Sequence, residues 1–204
     1  RLPVPALPNQ PGVQVYHWAD AVLEGRRGGY PTDLHAVYSV GTNYVTQGAD
    51  VRKNMRALQQ VDFSVCHDLF LTPTARWCDV VLPATHWLER DDIIFPIGNY
   101  LLFSNRTVDP LPGTRHDYDI FTDLAERLGL GEEFTKGRSA EAWLRTFVAR
   151  SDVKDYDEFR RTGIWMALDQ ERVALTGFVA DPETHPLRTP SGRVEIASTA
   201  YAAQ

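Results

Sequence analysis

The chain has 204 residues, 43% of them hydrophobic and 24% charged, and a net charge of −6. That is globular rather than disordered composition, and a chain this long buries roughly two-thirds of its unfolded surface without a disulfide or metal staple. The acidic balance and the lack of any basic run (Arg26-Arg27 and Arg160-Arg161 are isolated pairs) argue against nucleic acid as a partner. No apolar run approaches the ~20 residues of a membrane span, so direct membrane insertion is not expected. The two cysteines, Cys66 and Cys78, are too few for an iron–sulfur cluster or a closed zinc site. Both lie in apolar, strand-like runs and read as buried thiols. The chain starts at Arg1 with no Met and no signal peptide, and the expectation is that a front segment has been removed.

In chain order, residues 1–13 carry four prolines and read as an irregular lead-in, with a β-prone patch at Val13 to Tyr16. Ala19 to Leu23 reads as a short helix stopped at Gly25. Leu34 to Val40 is an apolar, β-branched run, followed at once by Gly41-Thr42-Asn43. Asp50 is a candidate N-cap for a helix with Val51, Met55 and Leu58 at helical spacing. Val61 to His67 is a second strand, ending in Asp68. Thr72-Pro73 opens a short capped helix, and Asp79 to Leu82 is a third strand. Nearly continuous apolar strands alternating with helices predict an α/β fold, a Rossmann-like open and mostly parallel sheet flanked by helices.

Trp87 to Asn105 reads as a long loop with one strand near Tyr100 to Phe103. Amphipathic helices are predicted at Asp119 to Leu128 and Ser139 to Arg150, and a third at Tyr156 to Arg161. Beyond Gly163 the pattern weakens to an irregular C-terminal extension, with a strand expected at Arg193 to Ala197. The resulting division is a lead-in over 1–33, a nucleotide-cradling domain over 34–150 and an extension over 151–204.

Ligands of open parallel sheets bind beyond the carboxyl ends of the strands. That rule selects Gly41-Thr42-Asn43, where Gly41 permits close backbone approach to a phosphate, although a simple turn reads equally well. It also selects Asp68, 27 residues after Gly41. A carboxylate there can accept ribose hydroxyls or the paired donors of a guanine edge, or merely close a turn. Glu89-Arg90-Asp91-Asp92 reads as a solvated ion-pair face, and Asp117 as an ordinary helix cap. The six histidines show no metal spacing, and there is no Walker loop, nucleophile elbow or Gly-x-Gly-x-x-Gly.

Four segments together resemble the dimethyl sulfoxide reductase family of molybdopterin oxidoreductases. They are GTNYVTQGAD from Gly41, VCHDLFLTPTARWCDVVLPATHWLERDDI from Val65, HDYDIFTDLAERLG from His116 and TPSGRVEI from Thr189. Their order matches the family's third, Rossmann-like domain. The resemblance implies that the chain is a fragment whose role is to bind one guanine dinucleotide half of the bis-molybdopterin guanine dinucleotide cofactor, which carries molybdenum or tungsten in the parent and would be absent from the isolated fragment. It places Gly41, Asn43 and Gln47 at the pyrophosphate and pterin-facing loop. Asp68 falls at the nucleoside end with Thr72 and Thr74 beside it, and Arg90 and Asp117 fall in the nucleotide pocket. Tyr44-Val45-Thr46 depart from side chains found there in some relatives, and no contact is carried to them.

The same resemblance implies a sulfoxide- or N-oxide-reductase-like parent, and a chain inactive by itself. No catalytic residue or metal ligand is expected within it. Its partners would be the remaining domains of the parent, including a following β-barrel, with iron–sulfur electron-transfer and membrane-anchor subunits. Relatives are often periplasmic or membrane-associated, and any targeting signal would lie upstream of Arg1. The competing readings are a non-catalytic nucleotide-binding or subunit-assembly domain and an ordinary NAD-dependent dehydrogenase domain. An excised domain should expose apolar surface, for which Leu101, Leu102, Phe103 and the segment after Gly163 are the candidates.

Overall fold

A computed structural model describes residues 12–96, 98–167 and 173–198. Most of the 1–13 lead-in therefore lies outside the described residues. The chain divides into two compact units, one ending at Ala167 and the other beginning at Leu168.

The first unit opens with a 3-10 turn at Val15–His17, where a β-prone patch was expected, and continues into α1 (Trp18–Glu24). Then come β1 (Ala36–Val40), the single-turn α2 (Tyr44–Gln47), α3 (Val51–Gln60) and β2 (Phe63–Asp68). After these follow α4 (Pro73–Trp77) and β3 (Val80–Pro83). The strands pair in parallel in the order β1-β2-β3. Val40 lies beside His67 and Asp68 beside Pro83, so all three strands end at one edge. Arg115 extends the sheet by one parallel bridge to Ala84, with its N–H donating to the Pro83 carbonyl at 3.0 Å. That bridge delivers α5 (Asp117–Arg127) to the same edge.

Local chemistry sets these boundaries. Asp50 caps α3 by accepting from Lys53 N at 3.0 Å, and it does so from a left-handed backbone (φ 55°). Lys53 then reaches Asp20 on α1 at 2.8 Å. Ala19 and Val22 of α1 pack with Ala57 of α3 and Val61 just after it. Thr72 caps α4 by accepting from Ala75 N, with Pro73 in the first turn where no N–H is needed.

Beyond β3 lies a second sheet. β4 (Asp92–Ile94), β5 (Tyr100–Ser104) and β6 (Ile164–Met166) pair antiparallel in that order. Only β5 was expected. α6 (Gly131–Thr135), α7 (Ala140–Ala149) and α8 (Tyr156–Thr162) complete the unit. Leu101 and Phe103 are each 5% exposed, covered by Leu144, Val148, Val153 and Phe159. The expectation that they form an exposed patch is therefore corrected. β5 is a central strand whose inner face is covered by α7 and α8, while Ile164 and Met166 remain exposed. Val153, Phe159 and Trp165 also belong to this core, and the compact unit runs on to Ala167.

The second unit contains α9 (Thr176–Ala180) and tight turns. No strand forms over Arg193 to Ala197 among the described residues. The chain instead folds back locally, with Thr189 Oγ1 donating to the Arg193 carbonyl at 2.6 Å and Ser191 N donating to Glu195 at 2.8 Å.

Phe159→Ala should lower stability by about 3–5 kcal/mol, read from urea unfolding, because it empties the centre of the second core. Cys66 is buried and unpaired, and burial, with Cys78 alongside, pushes its thiol up to about 12. At neutral pH, iodoacetamide should label Cys66 only after unfolding; labelling of the native chain at the rate of an exposed thiol would contradict this burial.

Candidate functional site

The carboxyl ends of β1, β2 and β3 and the start of α5 enclose a cleft of about 360 Å³. Seven of the eight residues singled out from the sequence line it: Gly41, Asn43, Gln47, Asp68, Thr72, Arg90 and Asp117. The parallel register is what gathers residues so far apart in sequence.

Gly41 turns the chain out of β1 at φ 63°, a backbone that favours glycine, and open space lies where a Cβ would project. The loop that follows is held from behind. The eighth residue, Thr74, is buried and does not line the cleft. Its hydroxyl donates to Asn43 Oδ1 at 2.7 Å and accepts from Val45 N at 3.0 Å, while Thr74 N also donates to Asn43 Oδ1. Gln47 folds back so that its side-chain oxygen accepts from Asn43 N at 2.9 Å.

Asp68 closes the turn after β2. Its Oδ1 accepts from Leu69 N at 2.8 Å and Phe70 N at 3.3 Å, and its Oδ2 accepts from the Thr72 hydroxyl at 2.6 Å. Arg90 forms the opposite wall. Its Nη1 donates to the Thr85 carbonyl at 2.6 Å and its Nε to Asp92 at 3.2 Å. The Glu89 to Asp92 stretch is thus no solvated ion-pair face. Glu89 is buried, accepting from His86 N and Leu111 N, and Asp91 pairs with Arg160 at 2.5 Å.

Asp117 occupies the first turn of α5; the N-cap position belongs to His116, whose side chain makes no capping bond. Burial first, then the neighbouring Arg90 guanidinium, hold His116 below the usual histidine range. Asp117 Oδ1 lies 2.8 Å from Nδ1 of His67, which is 1% exposed, and Tyr38 Oη lies 2.7 Å from the other ring nitrogen. Sequence reasoning tested His67 only for metal spacing and missed it. The signal was a polar residue closing an otherwise buried strand, which must find hydrogen-bond partners. Trp87 also lines the cleft and was missed. Among the described residues no cluster of three or more His, Cys, Asp or Glu side chains could hold a metal ion, and no helix is long and apolar enough to cross a membrane.

Comparison with known proteins gives this cleft a context. Residues 17–127 match the family model for molybdopterin oxidoreductases. The chain is 31% identical to dimethyl sulfoxide reductase DmsA of Haemophilus influenzae, over 99% of this chain and 28% of that protein. It is 36% identical to the dimethyl sulfoxide/trimethylamine N-oxide reductase of Rhodobacter capsulatus, over 88% of this chain and 24% of that protein. The chain thus spans about a quarter of the length of these curated relatives. Among solved structures, acetylene hydratase from Pelobacter acetylenicus shares the fold over 92% of this chain and 24% of its own length, with a TM-score of 0.67 at 24% identity. The family match runs through every strand of the parallel sheet and every cleft residue from Gly41 to Asp117, and the chain belongs to the molybdopterin oxidoreductase family.

Proposed function

We propose that this chain is the part of a larger molybdopterin oxidoreductase that cradles one guanine dinucleotide half of the cofactor. The observation that carries the reading is the gathering of seven separated residues into one cleft at the carboxyl edge of a parallel sheet, where nucleotides bind in such folds. Its volume lies within the range of small-molecule sites. The donor and acceptor set suits a nucleotide. Gly41 leaves room for a diphosphate to approach the backbone, and Arg90 supplies a partly exposed cation. Asp68 and Asp117 offer carboxylate oxygens to ribose hydroxyls or to the N–H edge of guanine.

In this reading Asn43 and Gln47 shape the loop nearest the diphosphate, Thr72 steadies Asp68, and Thr74 braces Asn43 from within. When bound, the group would supply metal redox chemistry toward the parent's substrate. These residues bind and orient it. The similarity to dimethyl sulfoxide and trimethylamine N-oxide reductases favours a sulfoxide- or N-oxide-reducing parent, with the remaining domains, and iron–sulfur electron-transfer and membrane-anchor subunits, as partners. The chain by itself is proposed to be non-catalytic.

GDP should bind with a dissociation constant on the order of 0.1–1 mM, and ADP more weakly. Amide shifts should cluster at residues 41–47, 68–74 and 117, and Asp68→Ala should weaken binding at least about ten-fold. No response to GDP at ~10 mM would overturn the reading. Thr74→Val removes the hydroxyl that braces the Gly41 to Gln47 loop and orphans the Val45 N–H. It should cost about 1–3 kcal/mol in urea unfolding and weaken GDP binding in parallel.

A further inference from the structure

Asp68 and Asp117 both face the cleft, but they are held differently. Asp68 already accepts from two backbone N–H groups and one hydroxyl. Asp117 accepts through Oδ1 alone, and its Oδ2 has no hydrogen bond among the described residues. Its side chain is 31% exposed, whereas its partner His67 is 1% exposed.

The proton positions follow from the partners. Asp117 is acceptor-only when ionised, so His67 Nδ1 must carry a hydrogen to bridge 2.8 Å. Burial first, then the Asp117 charge, hold the Tyr38 phenol above the usual tyrosine range, so it keeps its hydrogen. With Nδ1 carrying the ring hydrogen of a neutral imidazole, Tyr38 O–H donates to Nε2. Phe121, one turn along α5 from Asp117, packs 5.1 Å from the His67 ring and 5.5 Å from the Tyr38 ring. The carboxylate and the lid over its support thus belong to one helix.

We infer that Tyr38 and His67 form a one-way hydrogen-bond relay that positions the Asp117 carboxylate, aiming its Oδ2 into the cleft as an acceptor for ligand N–H or O–H donors. The inference rests on the nucleotide reading and deepens it. His67 and Tyr38 are positioning residues that act on the ligand through the Asp117 carboxylate. A merely structural histidine would tolerate a ring of similar size without a donor, while a positioning one would not.

The test uses the chain with GDP as probe and four variants. Asp117→Asn and His67→Phe should each weaken GDP binding at least about ten-fold, while His67→Asn, whose amide donates from the Nδ1 position, should stay within about three-fold. Nitrogen-edited NMR of the unliganded chain should show a protected His67 Nδ1–H, and Tyr38→Phe should weaken its protection without unfolding the chain. Binding unchanged in His67→Phe overturns the inference and leaves the nucleotide reading standing. A His67 ring protonated at Nε2 alone overturns it without reference to any ligand, so the test survives if His67→Phe fails to fold. No GDP binding by the unaltered chain overturns both.

Discussion

Parallel pairing with a fixed register is the constraint on which the rest of the cleft depends. Parallel hydrogen bonding sets Val40 beside His67 and Asp68 beside Pro83. Because side chains alternate faces, a one-residue slip would turn Tyr38 and His67 away from α5 and bring their buried neighbours round to it. The register therefore fixes more than the strand ends. It decides that Tyr38 and His67 lie under the same helix, that Gly41 leaves the sheet next to the Asp68 turn, and that Ala84 can accept Arg115 as a fourth parallel position. That last bridge brings the start of α5 to this edge, where Asp117 meets a residue fifty positions earlier.

The cleft is organised before any ligand arrives. Three donors hold Asp68, Thr74 holds Asn43 twice, Gln47 closes back on the same residue and a backbone carbonyl ties down Arg90. A site whose polar groups already have partners loses less conformational freedom on binding. A ligand here meets acceptors already in place, among which Asp117 Oδ2 is the least committed.

What the sequence disclosed tracks how local each determinant is. The three parallel strands, the Asp50 and Thr72 caps and the proline in the first turn of α4 are written in contiguous residues, and the structure realises them within one or two positions. The second sheet is not local. β4 has three residues, and β6 reaches β5 across some sixty positions of intervening chain, so neither carries a pattern of its own. The same limit hid the burial of Leu101 and Phe103, which depends on α7 and α8 folding back. At the cleft, residues that follow strand ends were readable from the rule for parallel sheets, whereas His67 was not. Its partners, Tyr38 and Asp117, come from opposite directions in the chain.

The order of segments in the first unit has a consequence for divisibility. β4 and β5 of the second sheet precede α5, which packs on the first sheet, and α7, α8 and β6 return to the second sheet afterwards. The two sheets are interleaved along the chain, so no single cut separates the cleft-bearing sheet from the second sheet. A cut between α5 and α7 keeps Asp117 but leaves β4 and β5 without their cover, and excising β4 and β5 takes the connection to α5 with them. The two sheets are therefore bound to be inherited, shuffled or deleted as one piece.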